Sequence, residues 1–125
     1  MSTALSDFPH AVNVAAGFLP EVKTADAEGD AIELADTDGP YFAIQMVGAV
    51  GARTTVSGSI EQSADGTTWF SITGGAFAAV TASENVQAIH FTPTLRYVRW
   101  IAGIAADMSP SAAVAVVIGR QKKTF

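Results

Sequence analysis

Residues 56–72 read Val-Ser-Gly-Ser-Ile-Glu-Gln-Ser-Ala-Asp-Gly-Thr-Thr-Trp-Phe-Ser-Ile. Val56, Gly58 and Ile60 alternate with Ser57, Ser59 and Glu61. A period of two is what a half-buried strand requires, because successive side chains point to opposite faces. Asp65-Gly66 follows, a pair that accepts the positive φ of a hairpin turn. The run from Trp69 to Ile72 then returns as a second strand.

The same period continues on both sides of this hairpin. Downstream, Gln87 to Phe91 is a short strand and Arg96 to Ile104 the longest. There Val98, Trp100, Ala102 and Ile104 share one face, while Tyr97, Arg99 and Ile101 take the other, so Trp100 is assigned to the core. Trp69, following a hairpin, reads as a core plug as well. Ala113 to Ile118 is uninterruptedly apolar and β-branched at four positions, which suits the centre of a sheet. Upstream, Ile32 and Leu34 flank Glu33, and Phe42, Ile44 and Met46 alternate with Ala43 and Gln45. Asp36 to Pro40, Gly74-Gly75 and Ser109-Pro110-Ser111 read as breaks. Eight or nine short strands without a helical period predict an all-β fold, a single jelly-roll-like β-sandwich.

Residues 1–20 carry little pattern and little charge, and read as an extended N-terminal arm; residues 21–125 read as the sandwich domain. Phe8, Val12, Val14 and Phe18 are the apolar positions such an arm would bury against a partner. The basic tail offers Arg120, Lys122, Lys123 and Phe125 as further contact candidates.

The chain's 125 residues suit one domain. They are 49% hydrophobic and only 15% charged, where a typical soluble domain carries about 25% charged residues. So few charges predict exposed apolar area that a partner covers. Cysteine is absent, which excludes disulfide staples and thiolate metal sites. Neither a signal peptide nor a membrane span is expected. Net charge is −5 and uneven: residues 1–40 hold Asp7, Glu21, Asp26, Glu28, Asp30, Glu33, Asp36 and Asp38 against Lys23 alone. An acidic chain without a basic stripe argues against nucleic-acid binding.

Reactive constellations are scarce. His10 and His90 have no metal-ligand spacing, and His90 reads as a sheet-face histidine. Asp36, Asp38 and Gly39 resemble half a calcium loop that lacks its closing carboxylate. The glycine pairs open no helix that would hold a phosphate. No catalytic, cofactor-binding or metal-binding residue is assigned, and no enzymatic activity is expected.

The segment from Val56 to Gly119 resembles a family of small virion proteins of tailed bacteriophages. The likeness rests on Gly58 to Trp69, Gly75-Ala76-Phe77, Val80-Thr81-Ala82, Arg96-Tyr97-Val98-Arg99, and Ser109-Pro110-Ser111 leading into Val114 to Gly119. It implies a head decoration, or cement, protein. Such a protein would be made in the host cytoplasm and sit on the outer surface of the capsid. It would bind major capsid subunits and copies of itself, as a trimer on that analogy, with no nucleic acid or membrane involved. A tail or head–tail connector component is the alternative within that class. From a different class, a carbohydrate-binding sandwich on a virion or cell-surface appendage would use Tyr41, Trp69, Tyr97 or Trp100 as a sugar platform.

Overall fold

Asp65 and Gly66 stand at the tip of one long antiparallel ribbon, which the chain rolls up into two sheets. The computed structural model describes residues 12–35, 37–106 and 110–122. Among these, nine strands follow in order: β1 (Val12–Lys23), β2 (Ala27–Glu28), β3 (Ile32–Glu33), β4 (Thr37–Val50), β5 (Thr55–Ser63), β6 (Phe70–Ala76), β7 (Asn85–Phe91), β8 (Tyr97–Ala105) and β9 (Ala112–Lys122). Along the ribbon, β5 pairs β6, β4 pairs β7, β2 and β3 pair β8, and β1 pairs β9, all antiparallel. Rolling the ribbon sets β9 against β4 and β8 against β5. One sheet then runs β1-β9-β4-β7 and the other β2-β8-β5-β6, with β3 also on β8. This is jelly-roll order, and the two sheets form the sandwich that the alternation predicts.

The tip is held by its own side chains. Asp65 Oδ1 accepts the N–H groups of Thr67 at 2.8 Å and Thr68 at 3.0 Å. Ser63 Oγ accepts from Gly66 N at 2.8 Å and donates to Asp65 Oδ1 at 3.0 Å. Gly66 has φ 81° and open space where a Cβ would be, so only backbone strain penalises a side chain there. Gly66→Val is expected to lose about 1–2 kcal/mol, the left-handed strain of a β-branched residue. Gly66→Asn should lose less, because Asn tolerates that region. Thermal melts of the two variants beside the parent check the ordering.

The backbone hydrogen bonds from Thr68 and Thr67 also hold the Asp65 carboxyl well below its ordinary value of 3.8. A folded-state value below the unfolded one means the carboxylate favours the fold fully above the unfolded value. That contribution fades as pH falls from about 4 toward the lowered value. Stability curves of the parent and of Asp65→Asn should therefore run parallel above pH 5 and converge below pH 4. Curves that stay parallel down to pH 2 would refute this role for Asp65.

The core lies between the sheets. Val98, Trp100, Ala102 and Ile104 point inward from β8, Val114, Val116 and Ile118 from β9, and Val56 and Ile60 from β5. Trp100 is wholly buried, and its Nε1 donates to Gln45 Oε1 on the opposite sheet at 3.0 Å. On β4 the smaller Ala43, Gln45 and Val47 face inward, which leaves room for the indole.

Four expectations need correction. The boundary drawn at residue 20 falls inside β1: residues 12–23 form a strand paired to β9, so at least from Val12 onward the chain is part of the sheet and not an arm. Asp36 to Pro40 is not a break between strands, because β4 already begins at Thr37, and the irregularity there is a register shift between Asp38 and Phe42. The local turn is held by Thr37, whose Oγ1 donates to Leu34 O at 2.6 Å. Gly74-Gly75 lies within β6, where the β5–β6 register shifts. Trp69 is not a core plug: it is half-buried, with the Arg99 guanidinium 4.4 Å from its ring centroid.

Candidate binding surface

Antiparallel pairing puts facing residues on the same side of a sheet, so the register defines the outer face of the β1-β9-β4-β7 sheet row by row. His90, Phe42 and Gly119 make one row across it. Ala88, Ile44, Val117 and Ala16 make the next. Val86, Met46 and Ala115 follow, and Ala113 with Val22 closes the face. None of these residues is charged. Val86 is 71% and Val22 62% exposed, and the Phe42 ring lies over Gly119, where no Cβ would fit. An open depression of about 210 Å³ sits among Met46, Gly48, Ala113 and Ala115, with Glu21 on its rim.

The opposite sheet presents a different surface. Arg99 lies between two carboxylates, Glu61 at 3.0 Å and Glu28 at 3.3 Å, and covers Trp69. Arg96 pairs with Glu33 at 2.8 Å and lies 5.4 Å from the Tyr97 ring centroid. Ser57, Ser59 and Ser71 complete a polar face. Water and salt screen the exposed Arg96–Glu33 pair, so it adds little to stability. The larger effect of these ion pairs is to keep this face hydrated, while its counterpart is apolar.

A second concavity, about 290 Å³, opens between the irregular middle of β1 and the segment joining β2 to β3. Glu21, Glu28 and Asp30 line it beside Gly17 and Phe18. Gly29 is required here: a Cβ on it would run into the carbonyl oxygen of Gly17. Among the described residues, no cluster of His, Asp and Glu has metal-binding geometry.

The contact candidates from the sequence are only partly brought together. Register places Val12 and Val14 on β1 beside Arg120 and Lys122 on β9, at one end of the sheet. Burial pulls the Arg120 guanidinium below its ordinary value, partly offset by Tyr41. Its Nε and Nη1 have no hydrogen-bond partner among the described residues. Phe18 is not held in reserve for a partner: its ring centroid lies 4.9 Å from that of Trp100, and it packs against the core. Phe8, Lys123 and Phe125 lie outside the described residues, as do His10 and Asp36. His90 is exposed on the apolar face.

Sequence reasoning expected exposed apolar area but did not place it on this face. Its signal is that β4 and β9 are apolar on both sides, which half-buried strands ordinarily are not. Strands apolar on both sides occur where both faces of a sheet are covered.

The sequence matches no protein-family model and no curated protein. The fold does have likenesses among solved structures. A structure of the infectious bursal disease virus Gx strain superposes with a TM-score of 0.60 at 11% identity, over 88% of this chain and 31% of that one. The prophage-derived protein YomS of SPBc2 gives 0.53 at 10% identity, over 89% of this chain and 95% of that one. The infectious bursal disease virus VP2 subviral particle gives 0.51 at 11% identity, over 89% and 32%. The chain thus spans about a third of the two viral chains and nearly all of the prophage protein. At these identities the likeness is one of fold.

Proposed function

We propose that the chain is a structural virion protein that decorates and stabilises a phage capsid by binding the outer surface of the major capsid subunits. The observation that carries this reading is the uncharged outer face of the β1-β9-β4-β7 sheet. Its side chains, apolar but for His90, are half-buried on β4 and β9 and exposed on β1 and β7, opposite a face whose arginines are paired. A face of this kind is stable in water when a protein surface covers it, and burial contributes about 25 cal/mol per Å² before the costs of association. Repetition over a shell turns modest contacts into firm attachment. The sharing of a sandwich with a prophage protein and with a subviral particle supports a virion setting.

This proposal includes no catalytic role. The sugar-platform alternative loses two of its four candidates: Trp100 is buried, and the Arg99 guanidinium lies over the Trp69 ring. The test of location is direct. Particles of the phage that encodes the chain are purified and labelled with antibody against it. Label over the head surface, in copies proportional to the capsid subunit, is expected. Label confined to the tail or neck would replace the decoration role with the connector role.

A further inference from the structure

We infer that two copies of the chain join edge to edge through β7, antiparallel about Ala88, so that two four-stranded sheets become one continuous sheet. Free strand edges invite such pairing, and folds usually block them with prolines, bulges, charges or very short strands. The other edges of this sandwich are blocked. β1 contains Pro20 and two register shifts. β2 and β3 are two residues each and carry Glu28 and Glu33. β6 has a register shift and the Gly74-Gly75 pair. Beside β7, the backbone N–H and C=O of Ala78 are taken up by the Gln87 side chain at 2.8 and 2.9 Å.

β7 has none of these devices. Its seven residues, Asn-Val-Gln-Ala-Ile-His-Phe, contain no charge, proline or glycine. Its register with β4 is unbroken from Asn85 to Phe91. Among the described residues, nothing pairs with its outer edge.

Charge selects a second copy as the occupant. The chain carries −5, and the carboxylates of Glu21, Glu28, Asp30 and Glu33 lie at or near the β1 and β2–β3 edges, on the far side of the sandwich from β7. Two such chains meet without like-charge contact through the β7 side. The edge is also self-complementary, as a two-fold contact must be. Ala88 faces itself, Val86 faces His90, Gln87 faces Ile89, and Asn85 faces Phe91. The joined outer faces form one uncharged surface twice as wide. An isologous edge contact closes at two copies, where the virion-family analogy implies three. A seven-residue edge is only about 24 Å long, so the buried area falls below the roughly 1,200 Å² of stable complexes. The pair is therefore weak in dilute solution and forms at high concentration or within an array.

The chain has no native cysteine, so single cysteines report the contact. Facing residues of an antiparallel pair lie within disulfide reach. Ala88→Cys should oxidise to a covalent dimer about tenfold faster or more than Ala16→Cys, an exposed position on β1. Adding Val86→Lys to Ala88→Cys should remove that advantage, with circular dichroism unchanged. In sedimentation equilibrium the parent's mass should rise above 12.9 kDa with concentration while Val86→Lys stays at that mass. Equal oxidation rates at residues 88 and 16, or self-association that Val86→Lys does not weaken, would overturn the inference.

Discussion

Trp100→Ala is expected to leave the chain largely unfolded at room temperature. The indole has no exposed surface, packs at a tilt against the Phe18 ring, and donates a hydrogen bond to Gln45 that ties the two sheets together. Truncating a buried aromatic of this size loses about 3–5 kcal/mol through transfer and cavity terms. It also strands Gln45 Oε1, and Gln45 Nε2 already has no partner among the described residues. An unsatisfied buried group adds about 1–3 kcal/mol. Domain stabilities are about 5–15 kcal/mol, so the combined loss removes most of what a modest domain has. Urea titration followed by tryptophan fluorescence from Trp69 measures it. A midpoint within 0.5 M of the parent's would show that Trp100 is not the centre of the core.

Gly58→Val is the second large effect, and it acts on the same bond from β5, the strand paired with that of Trp100. A Cβ on Gly58 would collide with Gln45 Oε1 and lie 2.8 Å from Trp100 Nε1. Neither group has room to retreat, because Gln45 and Trp100 are both fully buried. Overpacking at such a site loses about 1–3 kcal/mol, and breaking the Trp–Gln hydrogen bond adds about 1–3 more. Gly48→Ala is the control, since its nearest neighbour is Ala113 Cβ at an ordinary 3.6 Å. Calorimetry should show a large drop in melting temperature for Gly58→Val and almost none for Gly48→Ala. Equal drops would mean that glycine is needed at residue 58 only for its backbone.

The strands were legible because the period of two is written into them. Val98, Trp100, Ala102 and Ile104 face inward as the alternation predicts. The tip of the ribbon was legible because Asp65-Gly66 is local chemistry, complete within seven residues. What sits opposite what was not. β1 looked like an arm because its partner, β9, is almost the whole chain away, and its irregular middle blurs the period. Phe18 carried no mark of its partner, Trp100, for the same reason. On β4 the larger Phe42, Ile44 and Met46 point out while Ala43 and Gln45 point in, because an indole from another sheet claims the inner volume. Side-chain size alone gives the opposite orientation. The candidate face was hidden with it. It is assembled from four strands spread between residues 16 and 119, and only the register lines them up.

Binding through that face is the centre of the functional proposal, and charge placed on it is the sharpest probe. Val22→Glu and Ala115→Glu put carboxylates on the outer face of the β1-β9-β4-β7 sheet, whereas Ser57→Glu puts one on the polar face of the other sheet. Each variant is checked for native circular dichroism, added to particles stripped of the protein, and sedimented, and the bound copies are counted. Occupancy should fall at least about tenfold for the first two, the effect of about 1.4 kcal/mol of lost affinity, and stay at the parent's level for Ser57→Glu. Full occupancy by Val22→Glu and Ala115→Glu, with loss only for Ser57→Glu, would contradict the account and move the binding surface to the opposite sheet.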